Sequence, residues 1–220
     1  MRKKILLLTF LMGSITTIDL QINDSLKRGF SATYNYFIVN LFSMKYNASL
    51  CTNALTIEKF KNILKQLNIK EEILLFESRQ TPTGLSCNTI ACYDINFHAI
   101  ILTPFFFKKS ETVQDFTLYH ELRHYLQQTT LEAQIDVQNI AQKYNISIDQ
   151  AEEFDADITA LEYIAQRNCS NCMQEIYDTH IYYTDKDHSQ DGYITTKVVR
   201  LFLHKINEGK KQCKYHKNSL

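Results

Sequence analysis

The chain has 220 residues, a length that fits one or at most two domains. Its 24 basic residues balance its 24 acidic residues, so no excess charge points to nucleic acid or to an acidic surface as a partner. With 45% hydrophobic residues and only five Gly and two Pro, the composition favours an ordinary core and argues against a low-complexity or linker-rich architecture.

The N-terminus has the pattern of a secretory signal. A basic start, Met1-Arg2-Lys3-Lys4, precedes a short apolar run over residues 5–12. That run is shorter than the roughly 20 residues of a membrane-spanning helix. We therefore expect a signal peptide over 1–20, a single domain over 21–220 and a secreted or periplasmic protein without a transmembrane helix beyond the signal segment. An uncleaved amphipathic anchor is the alternative.

The first half of the chain predicts a helix and a small sheet. Residues 24–50 mix aromatic and polar side chains, which indicates one or two helices. Thr56 is a candidate N-cap for the next helix. A strand is predicted over 71–76, and two further strands over 90–93 and 97–102 form a hairpin.

The most informative stretch is His120-Glu121-x-x-His124, which lies in a predicted helix. Residues at i and i+4 lie on one helix face about one turn apart, so both imidazoles can bind one metal ion. Four apolar residues cluster on the opposite side: Leu118, Leu122, Tyr125 and Leu126. We therefore expect one face of this helix to pack in a core and the other to line a cleft.

A second acidic segment follows. Residues 127–147 are expected to be helical, and Asp149 is a candidate cap for the next helix. In that helix Glu153 and Asp157 lie one turn apart at the edge of the apolar face, whereas Glu152 points towards solvent and suits the helix dipole. Two histidines and a carboxylate are a standard ligand set for catalytic zinc, so Glu153 is the candidate third ligand. Asp157 is placed to accept a hydrogen bond from a ligand histidine and fix its tautomer.

This pair of motifs resembles the gluzincin branch of zinc metallopeptidases. The run Glu153-Phe154-Asp155-Ala156-Asp157 is similar to the Glu-Phe-x-Ala-Asp of the HtpX and CAAX-prenyl-protease group, and the overall pattern also resembles the ImmA/IrrE group. The match covers roughly residues 57–165. Both groups usually carry Gly before the second motif histidine, where this chain has Arg123.

The resemblance implies an α+β, zincin-like fold with a small twisted sheet, the motif helix and a mainly helical C-terminal part. It implies that His120, His124 and Glu153 hold Zn²⁺ with a water in the fourth position. Zinc lowers the pKa of such a water to about 7, and Glu121 would take its proton as general base. The expected function is that of a secreted zinc metalloendopeptidase acting on a protein or peptide substrate.

Further roles are implied by the same resemblance. Gluzincins stabilise the oxyanion with a His, Tyr or Arg near this point of the chain, and His188 is the candidate. Other residues remain possible for this role: His180, Tyr182, Tyr183 and Arg200. An edge strand of a zincin pairs with extended substrate, and 97–102 is the candidate strand, with an ordinary sheet strand as the alternative.

Two other functions remain open. One is a catalytically silent binding or sensor protein on a zincin scaffold, against which Glu121 argues because a structural zinc site has no use for that carboxylate. The other is a cytosolic regulatory protease like those of the ImmA/IrrE group, which the cysteine content disfavours.

Six cysteines favour an oxidising compartment: Cys51, Cys87, Cys92, Cys169, Cys172 and Cys213. Six cysteines allow 15 connectivities. The short spacings suggest bridges within 87–92 and 169–172, which leaves Cys51 with Cys213. A structural zinc on Cys169-x-x-Cys172 and another pair is the alternative.

One further motif, residues 187–198, resembles an EF-hand loop. Its twelfth position is Val198, where a calcium loop carries a bidentate Glu. We therefore expect a turn at Asp191-Gly192 rather than a calcium site.

Overall fold

The computed structural model describes residues 39–40, 43–80, 89–167, 169–184 and 203–204, with the side chains of the last helix up to residue 179. The chain divides into two compact units, 1–40 and 41–220, and every element below belongs to the second. None of the helices in these residues combines the length and the apolar character needed to cross a bilayer. The expected signal peptide over 1–20 lies outside the described residues and stays a prediction.

A mixed sheet of four short strands forms one layer of the fold. The strands are β1 (Ala48–Leu50), β2 (Leu74–Ser78), β3 (Ala91–Asp94) and β4 (Ala99–Leu102). They lie in the order β1-β2-β4-β3, with β2 and β4 parallel and the other two pairs antiparallel. The predicted hairpin therefore forms, as β3 and β4.

The position of β4 corrects one expectation. Residues 97–102 were the candidate edge strand, but β4 pairs with β2 on one side and with β3 on the other. All four of its residues are buried, which explains its uninterrupted apolar sequence. Within the described residues, the free edge beyond this strand belongs to β3.

Most of the remaining described residues lie in five longer helices: α1 (Ala54–Gln66), α2 (Glu111–Thr129), α3 (Leu131–Tyr144), α4 (Ile148–Ala165) and α5 (Ser170–Thr184). A short 3₁₀ turn, Phe106–Lys108, leads into α2. Together with the mixed sheet, these helices confirm the α+β class.

Two helix caps differ from the expected ones. Asn53, not Thr56, caps α1, because its Oδ1 accepts the Thr56 N–H at 3.0 Å. Ser147, not Asp149, caps α4. The Ser147 Oγ accepts the Gln150 N–H at 3.2 Å, and the Gln150 Oε1 accepts the Ser147 N–H at 3.1 Å. In both helices the capping oxygen lies three residues before the N–H that it binds.

Two segment boundaries also differ. Residues 48–50 form β1 rather than helix, because three residues give too little alternation to reveal a strand. The predicted helical segment 127–147 is divided at Thr130. The Thr130 Oγ1 accepts the Ala133 N–H at 3.4 Å, so α2 ends and α3 begins there.

Helix α2 lies at the centre of the fold and contacts α1, α3, α4, α5 and β3. Leu118 and Leu122 enter the main core, as predicted. The opposite side is also covered, since Thr117 and Glu121 are each only 7% exposed. Helix α4 and strand β3 contact α2, and the expected cleft on this side stays a prediction.

A buried carboxylate joins three helical segments. Asp115 on α2 is 5% exposed and pairs with the Lys59 ammonium on α1, where Nζ and Oδ1 lie 2.8 Å apart. It also pairs with the Arg167 guanidinium just beyond α4. Two opposite charges thus lie against the buried carboxylate and connect both segments to α2.

The cysteines do not form the expected bridges. Cys51 and Cys92 are free thiols, and their suggested partners, Cys213 and Cys87 respectively, lie outside the described residues. Burial raises the pKa of the Cys51 thiol to about 11 and that of the Cys92 thiol to about 12. Both groups are therefore protonated and weakly nucleophilic at neutral pH.

Cys169 and Cys172 are not joined to each other either. The Cys169 Sγ accepts the Cys172 N–H at 3.4 Å, at the start of α5. The Cys172 Sγ accepts the Thr112 hydroxyl at 3.5 Å. One sulfur thus accepts a hydrogen bond at the start of α5, and the other accepts one from α2.

The core side of α2 generates a stability prediction. Leu122 is fully buried, so Leu122→Ala should lower the free energy of unfolding by about 2–5 kcal/mol through lost burial and a residual cavity. Leu131→Ala is the matched control, since Leu131 is 72% exposed and its truncation should cost less than about 0.5 kcal/mol. Urea denaturation of both variants measures the difference, and equal losses would contradict this assignment of the core.

Candidate metal centre

Helices α2 and α4 bring three predicted ligands together. His120 and His124 come from α2 and Glu153 from α4, and one ligand atom of each lies within 4.8 Å of the others. The two imidazole Nε2 atoms are 3.1 Å apart. The Glu153 carboxylate lies 3.4 Å from His120 Nε2 and 3.5 Å from His124 Nε2.

These distances fit a metal ion. Ligand atoms arranged tetrahedrally at about 2.0–2.1 Å from an ion lie about 3.3 Å from one another, close to the 3.1 Å between the two Nε2 atoms. The Glu153 carboxylate approaches the two imidazoles through different oxygens, Oε2 at 3.4 Å from His120 and Oε1 at 3.5 Å from His124. In the part of the chain that the structure describes, no other group of three His, Cys, Asp or Glu residues has this arrangement. The alternative zinc site on Cys169 and Cys172 therefore has no third ligand among these residues.

Burial around the centre is uneven. The two histidine side chains are 16% and 17% exposed, whereas the Glu153 side chain is 57% exposed. The carboxylate therefore forms the solvent side of the centre, and an ion bound there would keep a position open towards water. Three protein ligands with one open position are typical of a catalytic rather than a structural zinc site.

Asp157 supports the first histidine. Its Oδ1 lies 2.8 Å from His120 Nδ1, which leaves Nε2 directed at Glu153 and His124. Burial lowers the pKa of His120, but the hydrogen bonds to Asp157 and Glu153 outweigh it, and the pKa stands well above its ordinary value. Burial likewise raises the pKa of Glu153, yet its hydrogen bond to His120 and the nearby imidazoles leave that pKa lowered. The group thus stabilises negative charge on its carboxylate.

A different residue supports the second histidine. Gln127 Oε1 lies 2.9 Å from His124 Nδ1. The Gln127 amide nitrogen donates to the backbone carbonyl of Glu152 and to the Asp155 carboxylate, both at 2.8 Å. The sequence pattern assigned no role to Gln127 or Asp155. The available signal was the spacing of Gln127, one turn after His124 on the same helix.

Arg123 extends this arrangement. Its Nε and Nη2 donate to the two oxygens of Asp155 at 2.7 and 3.0 Å, and Nη2 also donates to Asp136 on α3 at 2.8 Å. The residue at which this chain departs from the related motifs is thus held by two carboxylates. Together these bonds connect α2, α3 and α4 next to the metal-binding group.

Glu121 lies between α2 and β3 and is 7% exposed. Its Oε2 accepts the backbone N–H of Tyr93 at 2.7 Å. Burial raises the pKa of Glu121 above that of an ordinary glutamate, against the opposing effect of His120 and His124. A buried acid beside the two histidines is therefore oriented by the edge strand.

The remaining predicted residues fall into two groups. Glu152 is half-buried rather than directed to solvent, and it is not part of the metal-binding group. His188 and Arg200 lie outside the described residues, as do the loop 187–198 and the side chains at 180–184. An oxyanion-stabilising role for His180, Tyr182, Tyr183, His188 or Arg200 and the absence of calcium therefore stay predictions.

Comparison of the chain with protein-family models, with curated proteins and with solved structures finds no match. What is known of the molecule's class thus comes from its own geometry. It is an α+β protein in which two histidines and one glutamate are positioned to hold a metal ion.

The geometry predicts one metal ion per chain. His120→Ala and His124→Ala should each abolish binding, because each removes one of three ligands. Glu153→Gln should weaken metal affinity by more than the roughly 10–100-fold typical of outer-shell partners. Elemental analysis and chelator competition measure these effects.

Glu152→Gln is the matched control for that experiment, since the two glutamates are adjacent on α4 and only the Glu153 carboxylate belongs to the metal-binding group. Its affinity should stay near that of the wild type. A larger loss in Glu152→Gln than in Glu153→Gln would show that the third ligand is assigned wrongly.

Proposed function

We propose that the protein is a zinc-dependent metalloendopeptidase of the zincin type, with zinc held by His120, His124 and Glu153. The observation that carries this proposal is a buried acid, Glu121, next to a three-ligand group that it does not join. A structural zinc site takes four protein ligands and needs no such acid. A hydrolytic site needs both an open metal position and a proton acceptor.

Each residue has a role in this reaction. When bound, zinc polarises a carbonyl and lowers the pKa of water. Glu121 accepts the proton of the attacking water and passes it to the leaving amine. Its raised pKa suits both steps, because a base with a pKa nearer the working pH accepts and returns a proton more readily. The Tyr93 N–H holds the carboxylate in place during the exchange.

We propose β3 as the strand that binds the peptide substrate. It lies at the free edge of the described sheet and next to α2. The Tyr93 N–H points away from β4, and Ala91 shares that direction because alternate residues direct their backbone groups to the same side. Because Glu121 occupies the Tyr93 N–H, an extended peptide would pair with the outward backbone groups of Ala91 and with the Tyr93 carbonyl, close to the metal-binding group.

Substitution of the proposed base tests the function. Glu121→Gln should retain zinc and the fold, because Glu121 is not a ligand. Hydrolysis should fall by about 10²–10⁴-fold, the usual contribution of a general base. Digestion of casein or of a peptide library measures turnover, and elemental analysis confirms the zinc content.

Glu152→Gln serves again as the control and should digest substrate normally. Near wild-type turnover in Glu121→Gln would show that another group activates the water. An inactive wild type with bound zinc would favour the catalytically silent binding or sensor protein.

The cysteines favour one alternative for the compartment. Secretion is a proposal that rests on residues 1–20 alone, because the described cysteines form no disulfide to support it. Thiols in a folded domain are typical of a reducing compartment. This observation favours a cytosolic regulatory protease, like those of the ImmA/IrrE group, as the second candidate.

Thiol labelling separates the two candidates. Alkylation of the purified native protein in denaturant, without reductant, should modify Cys51, Cys92, Cys169 and Cys172, because the structure has a thiol at each of these positions. Peptide mass spectrometry identifies the labelled positions. If these four positions are labelled only after reductant is added, they form disulfides in the native protein, and that result would favour the secreted candidate.

A further inference from the structure

We propose that Gln127 is a positioning residue that fixes His124 in the tautomer required for metal binding. Its amide is locked by Glu152 and Asp155, and Asp155 is in turn held by Arg123. The inference rests on the proposed metal site. It concerns the tautomer of His124 before an ion binds, so it can be tested in metal-free protein.

The orientation of the Gln127 amide is set by its hydrogen-bond partners. The side chain is 3% exposed, so water does not replace its partners. Its two N–H groups meet two acceptors, the Glu152 carbonyl and the Asp155 carboxylate. A rotation of the amide by 180° would direct Oε1 at these two acceptors and the amide nitrogen at His124, so Gln127 would lose both of the hydrogen bonds that it donates. Oε1 is therefore fixed towards His124.

The contact between the Gln127 amide oxygen and the His124 imidazole determines which ring nitrogen carries the hydrogen. An amide oxygen only accepts hydrogen bonds, so the His124 Nδ1 at 2.9 Å must carry the hydrogen. A neutral imidazole has one N–H, and its other nitrogen carries a lone pair. The lone pair of His124 is therefore on Nε2, the atom that lies 3.1 Å from His120 Nε2 and 3.5 Å from Glu153.

Asp155 is itself held in place by Arg123. This carboxylate is 5% exposed and receives two parallel hydrogen bonds from Arg123. Bidentate arginine–carboxylate pairs are strong and directional. Asp136 accepts a further bond from the same guanidinium and restricts it from the α3 side. Asp155 is thus held where it can accept the Gln127 N–H. Arg123 therefore orients His124 indirectly, through Asp155 and Gln127.

The two histidines are therefore oriented in different ways. His120 is oriented by a carboxylate, Asp157, whose two oxygens both accept hydrogen bonds. His124 is oriented by a neutral amide that has one accepting end and one donating end. Only for His124 does the tautomer depend on which end of its partner faces the ring, and that choice is made by Glu152 and Asp155.

The experiment uses the full chain in metal-free and zinc-loaded forms. Gln127→Leu removes the amide at nearly constant volume. Gln128→Leu is the matched control, because Gln128 is the next residue of α2 and is exposed. Long-range ¹H–¹⁵N spectra of the imidazoles, recorded in metal-free protein at a pH where they are neutral, report the tautomer directly. Competition with a chromophoric chelator reports zinc affinity.

We expect His124 in the metal-free wild type and in Gln128→Leu to be the Nδ1–H tautomer. In Gln127→Leu this preference should be lost, and zinc affinity should fall by about 10–100-fold. A purely structural role for Gln127 would lower stability without changing the tautomer. The wild-type spectrum needs no variant, so the proposal stays testable if Gln127→Leu does not fold.

Two results would overturn the proposal: an Nε2–H tautomer in the metal-free wild type, or wild-type zinc affinity in a folded Gln127→Leu. Failure of the proposed function is distinguishable from both. If the wild type binds no zinc while His124 shows the Nδ1–H tautomer that Gln127→Leu loses, the metal site fails and the positioning role stands.

Discussion

The packing of α2 against α4 is the contact on which the rest of the site depends. Two ligands lie on one helix and the third on the other, so neither helix alone can hold an ion. Hydrogen bonds at two places help to fix the relative position of the pair: His120 with Asp157, and Gln127 together with Arg123 with Asp155. Because each connection ends on α4 close to Glu153, a displacement of either helix would disturb the ligand distances and both connections together.

This contact requires polar groups in a region that is otherwise core. Glu121, Gln127, Asp155 and Asp157 are each at most 7% exposed, and burial of such groups is costly unless they are hydrogen-bonded. Each has a partner in a neighbouring segment: a strand backbone, a carbonyl, a guanidinium or an imidazole. The partners make the centre specific, since a half-satisfied network would be less stable than an apolar core. The same partners hold the side chains in one geometry.

Local sequence patterns predicted the parts of the site that depend on helix periodicity. The spacing of His120 and His124 and the phase of Glu153 follow from 3.6 residues per turn, and the structure brings these three together. The orienting role of Gln127 was not predictable, because it depends on which end of an amide meets a partner on another helix. Sheet order was equally inaccessible. A buried apolar run such as 99–102 identifies a strand but not its neighbours, which is why the edge was assigned to the wrong strand.

The central position of α2 has a consequence for how such a protein can change during evolution. Along this helix, residues of the core such as Leu118 and Leu122 alternate with His120, Glu121 and His124, so a substitution that adjusts one set also disturbs the packing of the other. The residues that stabilise the core and the residues that form the site therefore lie on the same helix, α2. Glu153 is different, because its side chain is largely exposed and its replacement leaves no cavity. A substitution that changes the preferred metal would therefore cost the least folding stability at Glu153 on α4.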